Sequence, residues 1–550
     1  DTALETAIAV AACGGKVTLS YRKKEFARPK PENVEKLEML LKDPAAQVAV
    51  ERPTSERVTT AANSGMRGDK APGSVRLLME TSVQRIEPNS VILRDASGQS
   101  QTIPNDVVFT MLGREAPLDF FRRSGIAIRR EWSAKTALSF LVFFAFCSFL
   151  YIWKASTDLN RLFQQRHWFP FNVPGWVSSL GGSIATASAD PRTFLGTLTI
   201  DSAQPGFYYT IGYTLLIVVF GLRRIRRRNT PYVRKQTYSL MTFQVIPLFL
   251  LPYIVLPLMG HNGWFDSGVM KTIADNLFPI VNYDHGREYW RAFGLVLAWP
   301  LFAWNVFTSQ PLLWWLVISL VQTFVIIPLI VYRWGKGAYC GWVCSCGALA
   351  ETLGDQHREK MPHGPFWNRL NMVGQAILFG TTLIAVLRFV SWIAPNSALG
   401  HLAGQWFFGL LEQWSLLGVQ LNFYHVVDIA LDGIIGLGLY FWFSGRVWCR
   451  FACPLAALMH IYARFSRYRI FPEKKKCISC NVCTSVCHQG IDVMNFANKG
   501  IPMEDPECVR CSACVQMCPT GVLTFGRLDA DGKIVYDKLV ASPVKMREAH

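Results

Sequence analysis

Eight cysteines near the C-terminus form two runs with the same spacing, Cys-x2-Cys-x2-Cys-x3-Cys. The runs begin at Cys477 and Cys508, and Pro519 follows the second one. Three thiolates spaced in this way bind three irons of one cubane, while the fourth cysteine of each run binds the other cluster. We therefore predict two [4Fe-4S] clusters, one on Cys477, Cys480, Cys483 and Cys518 and the other on Cys508, Cys511, Cys514 and Cys487.

Structural zinc explains these runs less well, because zinc sites use separate CxxC pairs. His488 stands where a proline often follows the fourth cysteine, and it removes no ligand. Disulfides are not expected in a reducing cytoplasm. A pair of such clusters predicts one-electron relay rather than bond-making chemistry.

Five further cysteines lie in two short boxes upstream of the runs. The first box, YCGWVCSC, contains Cys340, Cys344 and Cys346, and the second, VWCRFAC, contains Cys449 and Cys453. On a helix, a spacing of four places two sulfurs on one face. We expect the boxes to meet as a four-thiolate site for a third cluster or for copper, both of which thiolates bind, or to act as redox dithiols. Buried apolar cysteines are the alternative.

Six apolar segments are long enough to cross a membrane, which takes about 17 to 25 residues. They lie near 136–153, 206–222, 239–259, 312–332, 372–394 and 422–443. The stretch 293–307 is also apolar, but a seventh crossing there would place the two boxes on opposite faces. We therefore interpret it as an interfacial or re-entrant segment of a polytopic α-helical membrane protein.

The composition agrees with a membrane protein, since 51% of the residues are hydrophobic and only 17% are charged. This excludes a disordered or collagen-like chain, and we expect no nucleic-acid partner. The net charge of +17 is attributed mainly to basic loops such as 223–228, which remain cytoplasmic, and otherwise to a docking face for an acidic redox partner. If successive loops alternate sides from these cytoplasmic ones, both termini and every cysteine cluster lie in the cytoplasm. We therefore predict a bacterial inner-membrane protein. The first span is expected to be an uncleaved anchor.

Three charged residues fall inside the predicted spans, namely Arg388, Asp428 and Asp432. Charge in hydrocarbon is costly, so these side chains must face protein, water or each other. A structural ion pair between the aspartates and Arg388 is one interpretation. A proton path or quinone pocket near Tyr424 and His425 is the other.

Three histidines, His261, His285 and His401, fall in segments predicted to lie on the outer face. They are candidate heme or copper ligands. Simple solvated loop histidines are the alternative.

Residues 1–49 are predicted to be an α/β fragment with a helix over 1–12, a Gly14-Gly15 end and a strand over 17–20. Cys13 is expected in the core. In a dinucleotide-binding unit, basic residues after the second strand accept the NADP phosphate. The candidates here are Arg22, Lys23, Lys24 and Arg28.

This region resembles the thioredoxin-reductase-like branch of the pyridine nucleotide-disulfide oxidoreductases. DTALE matches the end of the family's G-G-G-D-(S/T)-A-x-E helix motif, and SYRKKEFAR occupies the phosphate-recognition position. VRLLMETSVQRI, SVILRD and DVVFTMLGR look like the strands that lead back to a flavin domain. The resemblance implies a partial Rossmann-like domain that binds NAD(P)H. Without the family's flavin motifs, FAD is not expected in this chain, and a vestigial docking domain is the alternative.

Residues 206–525 resemble the NapH/NosR-type polytopic iron-sulfur proteins, which are associated with periplasmic nitrate and nitrous oxide reductases, and more distantly the CcoG-type copper-handling proteins. YCGWVC, WCRFACP and the double cluster motif carry the resemblance, although Ser345-Cys346 replaces the expected proline. Cys346 is therefore either an extra ligand of the possible third site or a bystander. The predicted domains are 1–130 for the partial oxidoreductase domain, 131–465 for the membrane domain, 466–527 for the ferredoxin domain and 528–550 for a tail.

We therefore predict an electron-transfer protein, an oxidoreductase or a subunit of one, that connects a cytoplasmic donor with quinone or a periplasmic partner in a respiratory chain. NAD(P)H or a flavin carrier is the expected donor, and other redox subunits are expected partners. A copper-reducing assembly factor for an oxidase and a non-catalytic scaffold subunit are the alternatives.

Overall fold

The computed structural model describes residues 2–537 apart from 27–28, 49–70, 72, 112–116, 127, 129–130, 156, 308–311, 411–414, 417–418 and 421–423. These residues form an N-terminal α/β region, a helical membrane domain and a ferredoxin module. The candidate residue Arg28 and most of the predicted tail, 538–550, lie outside the described residues.

The N-terminal region begins with a small α/β unit. Its elements are helix Thr2–Ala12, strand Lys16–Tyr21, helix Pro31–Lys42 and strand Ser74–Met79. The two strands pair in parallel, with Lys16 opposite Ser74, and both helices pack on them through Leu4, Ile8 and Leu37. The first helix and strand agree with the sequence prediction. Cys13 does not, because the helix ends at Ala12 and the following turn leaves Cys13 exposed.

A separate antiparallel sheet follows, made of strands Ser82–Glu87, Ser90–Arg94 and Ser100–Pro104. The predicted strand DVVFTMLGR is wrong over its described part, 106–111, where the chain is irregular. The third strand lies earlier because Gly98 donates to the Asp95 carbonyl in a tight turn, which returns Ser100 beside Arg94. The described N-terminal strands are thus fewer than a complete Rossmann sheet contains.

Among the described residues, five helices are long and apolar enough to cross a membrane, judged by length and composition. They are Ala134–Lys154, Pro205–Arg227, Pro231–His261, Leu313–Trp334 and Pro365–Ile393. These confirm five of the six predicted spans. At the sixth position, the π-type helix Tyr424–Leu437 is followed by the short helix Tyr440–Phe443, so a full crossing there remains a prediction.

Shorter helices lie in the segments between and after the long ones. They are Asp158–Gln165, Val173–Ser179, Gly182–Ala189, Phe194–Asp201, Gly268–Leu277 and Ala398–Phe408. The apolar stretch 293–307 starts in the 3-10 helix Tyr289–Leu295 and then continues as irregular, mostly buried chain. Its carbonyl groups are satisfied by side chains, since Tyr339 donates to Val296 at 2.6 Å and Thr323 donates to Trp299 at 2.8 Å. Irregular chain at membrane depth needs such partners, and an interfacial or re-entrant position for this segment remains a prediction.

The ferredoxin module is built on a three-stranded antiparallel sheet of Tyr468–Pro472, Leu523–Leu528 and Ile534–Tyr536. Short helices Val482–Ser485, Val493–Lys499 and Ala513–Gln516 lie over it. Ile470, Val493 and Phe525 are buried between the sheet and the helices. This core places the two cysteine runs side by side.

Candidate iron-sulfur and thiol site

The two cysteine runs share one unusual backbone conformation. Ser479 and Asn481 in the first run have φ values of 54° and 61°, and Arg510 and Ser512 occupy the same positions in the second run with 51° and 63°. Left-handed conformations of residues other than glycine cost about 1–3 kcal/mol each and cluster at functional sites. Turns of this kind also form the concave arrays of N–H groups that bind anions and iron-sulfur clusters. Each run is therefore shaped around an anionic group.

The structure groups the cysteines of the two runs crosswise. One cavity is lined by Cys487, Cys508, Cys511 and Cys514. Charge interactions place Cys518 of the second run with the first three cysteines of the other run, Cys477, Cys480 and Cys483. Each group holds four thiols, which is the ligand number of a cubane. The residues present therefore suit two [4Fe-4S] clusters.

The two juxtamembrane boxes also meet. The thiols of Cys340, Cys344, Cys449 and Cys453 are buried in one core. They lie near enough to one another for their charges to interact. Thus four thiols from two membrane exits converge on one place. We call these four residues the box site.

The boxes are not continuous helices, so the expected reason for their spacing is wrong. The first cysteine of each box lies in a short helix. Cys340 ends helix Gly337–Cys340, and Cys449 lies within helix Val447–Phe451. The second cysteine is extended and precedes a new helix, with ψ 138° at Cys344 and ψ 117° at Cys453. The Cys453 sulfur accepts a hydrogen bond from Ala456 N at 3.4 Å. Each box therefore presents one sulfur at the positive end of a helix, which favours the thiolate, although burial outweighs this at Cys453 and raises the pKa of its thiol.

Cys346 is half-buried at the edge of the box site. Its hydrogen bond to Cys344, together with N–H groups of Gly347 and Cys346, lowers the pKa of the Cys344 thiol to about 7, although burial opposes this. Cys346 thus supports Cys344 in its thiolate form.

A buried ionic network lies between the box site and the ferredoxin module. Glu351 accepts hydrogen bonds from Arg224 at 3.1 Å, from Arg446 at 2.7 Å and from Arg358. Burial alone would raise the pKa of Glu351, but Arg358, Arg446 and Arg224 outweigh it and lower the pKa to about 2. Asp355 pairs with Arg358 at 2.8 Å in the same network. Glu351 is therefore ionised in the folded protein.

This network carries more positive than negative charge. Among the described residues, the guanidinium groups of Arg224, Arg228, Arg358 and Arg446 pair with two carboxylates, those of Glu351 and Asp355, so positive charge exceeds negative charge by two. Buried charge needs compensation. Arg446 lies 3.9 Å from the Cys449 sulfur, and a cubane held by four thiolates is anionic. The surroundings of the box site suit such a group.

The network also reaches the ferredoxin module through His488. Its Nε2 lies 3.6 Å from Glu351, and ligand atoms of Glu351, His488 and Cys511 are all within 4.8 Å of one another. Burial and the nearby Arg358 lower the pKa of His488 well below its usual range. Sequence reasoning missed this network because Arg224 was assigned to a basic loop. The acidic pair Glu351 and Asp355, four residues apart after the first box, was the available signal.

Direct contacts fix the module to the membrane domain. Lys336 pairs with Glu507 at 2.8 Å, and His460 pairs with the same carboxylate at 2.7 Å. Tyr232 donates to the Arg510 carbonyl at 2.5 Å. These bonds hold the second cysteine run beside the first box.

The predicted phosphate-binding residues lie at one end of the parallel strand pair. Arg22, Lys23 and Lys24 follow strand Lys16–Tyr21 and are exposed. The next residue, Glu25, pairs with Lys499 of the ferredoxin module at 2.7 Å. The basic cluster therefore lies close to the module surface.

The intramembrane aspartates are near a lysine that the sequence analysis did not select. Asp428 accepts a hydrogen bond from Trp304 at 3.2 Å, and the ring of Tyr424 packs on Trp304. Lys154 lies within electrostatic range of Asp428 and Asp432.

The expected pairing with Arg388 is wrong, because this guanidinium lies over aromatic rings. Its carbon is 4.5 Å from the ring centre of Trp392 and 4.7 Å from that of Phe407. Cation–π contacts of this kind accommodate a buried arginine. The cation that faces the aspartates is therefore Lys154.

Of the three outer histidines, two meet. His261 and His285 are joined by ring nitrogens 3.0 Å apart. His401 lies elsewhere, in a cavity with Ser391 and Gln405.

Two iron-sulfur domain families match the chain. A 4Fe-4S dicluster domain matches residues 469–519, which contain both cysteine runs. A 4Fe-4S binding domain matches residues 312–362 and 433–472, which contain the two boxes. No solved structure matches the chain.

Curated relatives include proteins named for electron transport and for regulation. The chain is 28% identical to YccM of Escherichia coli, provisionally named an electron transport protein, over 180 residues, or 32% of the chain and 46% of YccM. It is 27% identical to the regulatory protein NosR of Pseudomonas aeruginosa over 298 residues, 52% of the chain and 33% of NosR. It is 27% identical to NirI of Paracoccus denitrificans over 201 residues, 34% of the chain and 25% of NirI.

The chain thus spans less than half the length of these relatives. The similarity, the domain matches and the five apolar helices identify a membrane iron-sulfur protein of an electron-transfer or regulatory kind.

Proposed function

We propose that this protein carries electrons, one at a time, from a donor on the ferredoxin side through its clusters and the box site towards quinone or a redox partner on the opposite side. The observation that carries this proposal is the position of Val509. It belongs to the second cysteine run and is buried in the same core as the four box thiols. Short through-protein distances favour electron transfer, and a shared core provides them.

In this proposal Cys477, Cys480, Cys483 and Cys518 hold the outer ferredoxin cluster. Cys508, Cys511, Cys514 and Cys487 hold the inner one. The crosswise grouping of the thiols supports this ligand assignment.

A third [4Fe-4S] cluster on Cys340, Cys344, Cys449 and Cys453 completes the path. The 4Fe-4S domain match over both boxes and the excess positive charge around Glu351 support iron-sulfur over copper. Cys346 then acts through its hydrogen bond to Cys344 and not as a ligand.

Electrons enter at the outer cluster, beside the N-terminal region. Glu35 pairs at 3.0 Å with Lys474, which lies three residues before Cys477. Glu25 pairs with Lys499. NADPH, bound through Arg22, Lys23 and Lys24 with a separate flavin carrier, is the proposed donor. The Rossmann-like interpretation of this region belongs to the same proposal.

The ferredoxin side is proposed to face the cytoplasm of a bacterial inner membrane. The arginine-rich segment 223–228 is on this side, since Arg224 and Arg228 reach Glu351 and Asp355, and such segments remain cytoplasmic.

Iron counting tests the path. Anaerobically purified protein is expected to contain about twelve irons per chain, whereas about eight would leave only the ferredoxin pair. Electron paramagnetic resonance (EPR) after dithionite reduction should show a third, magnetically interacting cluster. Eight irons, with copper bound by wild type and lost in a Cys449→Ser, Cys453→Ser variant, would support the copper-reducing assembly factor instead.

The donor is tested separately. NADPH with added flavin should bleach cluster absorbance in wild type, and a Lys23→Glu, Lys24→Glu variant should respond more slowly. A Lys36→Glu variant, changed on helix Pro31–Lys42, is the control. If NADPH reduces neither protein while dithionite reduces both, the nicotinamide part of the proposal fails and the iron-sulfur part stands.

A further inference from the structure

Two histidines and an aspartate on the side opposite the ferredoxin module form a connected row. His261 Nε2 and His285 Nδ1 are 3.0 Å apart. The other ring nitrogen of His285 lies 3.1 Å from Oδ1 of Asp201. The two imidazoles therefore face each other through one nitrogen each, and a carboxylate holds the far side of His285.

The row is built into the fold. Asp201 ends helix Phe194–Asp201, and the side chains of Asp201 and His285 are only 2% and 5% exposed. His261 ends the long helix Pro231–His261 and is partly exposed. The row therefore has a buried end at Asp201 and an accessible end at His261.

Backbone geometry fixes His285 in this row. It lies in a hairpin closed by the bridge between Ile280 and Arg287. The residue before it, Asp284, has a φ of 53°. Such a conformation costs about 1–3 kcal/mol for a residue other than glycine, so the surrounding contacts hold His285 in place against strain.

We propose that His261 and His285 bind a divalent transition-metal ion of the copper or zinc type, with Asp201 orienting His285 from behind. Imidazole nitrogens bind such ions at about 2.0–2.1 Å, so two nitrogens on one ion lie about 3 Å apart, as these do. A carboxylate on the far nitrogen of a metal-binding histidine fixes the tautomer and increases ligand basicity. Two protein ligands leave positions open for exchange.

The surrounding charges favour a cation. Asp190 is within electrostatic range of His261, and Asp284 is within range of Asp201. Oδ2 of Asp201 is buried and has no hydrogen-bond partner among the described residues. Three carboxylates beside two imidazoles therefore produce a negative potential where the ion would bind.

EPR of the full-length protein in detergent tests the proposal, which is independent of the electron-transfer function. Cu²⁺ is added to oxidised protein, and the expected spectrum shows one copper per chain with splitting from two imidazole nitrogens. Copper bound by thiols lacks this splitting. Zn²⁺ bound first should be displaced by Cu²⁺, because nitrogen sites bind Cu²⁺ more tightly than Zn²⁺.

Substitutions of the two histidines and of the aspartate test whether these residues bind the copper. His261→Ala and His285→Ala should lose the two-nitrogen signal, and the control His401→Ala should retain it. Asp201→Asn should weaken copper affinity about 10- to 100-fold. Cluster absorbance verifies that each variant is folded. A wild type without the two-nitrogen signal, a His285→Ala variant that keeps it, or an unchanged affinity in Asp201→Asn would reduce the row to a simple hydrogen-bonded structure.

Discussion

Gly337 packs directly on the backbone of Val509. A methyl group at position 337 would lie 2.2 Å from the Val509 carbonyl oxygen, far inside van der Waals contact. This close approach brings the first box and the second cysteine run together. Because backbone cannot move aside as a flexible side chain can, only glycine fits at this position.

Gly337→Ala should therefore loosen the ferredoxin module. Forcing an extra methyl into packed structure costs about 1–3 kcal/mol, and the midpoint of thermal cluster loss should fall. Electron transfer between the ferredoxin pair and the box site should slow. Gly212→Ala is the matched control, since a Cβ at Gly212 meets nothing within 4 Å. Equal midpoints for the two variants would contradict the tight contact.

Glu351→Gln should destabilise the protein strongly, because it leaves the buried guanidinium groups of Arg224, Arg358 and Arg446 without a full countercharge. Removing one partner of a buried ion pair costs about 3–5 kcal/mol. Chemical denaturation monitored by cluster absorbance measures this. Asp158→Asn breaks only the exposed pair with Arg161, and its expected cost is below about 1 kcal/mol.

The same variant has a pH signature. The pKa of Glu351 is about 2 in the folded protein, below its ordinary value. The ordinary pKa of a glutamate is about 4.3. The stabilising contribution of Glu351 is therefore fully present above this pH, and it is lost only as the pH falls towards 2. The stability difference between wild type and Glu351→Gln should stay constant from pH 5 to 8. A difference that shrinks as the pH falls from 8 to 5 would show that Glu351 is protonated in the folded state.

Cysteine replacement separates ligands from supporting thiols at the box site. Cys449→Ser should remove about four irons per chain and leave the EPR signals of the ferredoxin pair intact. Cys346→Ser should keep all the iron, because Cys346 forms a hydrogen bond with Cys344 at the edge of the site and is not itself a ligand. Iron loss in Cys346→Ser with retention in Cys449→Ser would reverse the assignment.

How much of this site the sequence predicts depends on whether the chemistry is local. Spacing alone identified both cysteine runs, because a cubane fixes the separation of its ligands along the chain. It also identified five apolar helices, because membrane thickness fixes their length.

Contacts between segments that are distant in the chain could not be predicted from the sequence. Arg224 and Glu351 are 127 residues apart, and nothing in either segment indicates the other. The broken helices of the boxes were missed because a spacing of four also suits a continuous helix. Nor does the sequence indicate that Lys154 lies near the aspartates, because Lys154 follows the first predicted span and the aspartates lie in the last one.

Arg446 is placed to set the reduction potential of the box site, since its guanidinium lies 3.9 Å from the Cys449 sulfur. A nearby positive charge stabilises the reduced, more negative form of a cluster. Arg446→Gln should therefore lower the midpoint potential. At the effective dielectric constant of a protein, one charge a few ångströms away is worth about 2–4 kcal/mol, or on the order of 100 mV. Arg333→Gln, an exposed arginine on the same side, should leave the potential nearly unchanged because solvent screens it. Redox titration followed by EPR measures both values, and a potential that is the same in Arg446→Gln and wild type would show that the box site holds no redox group near Cys449.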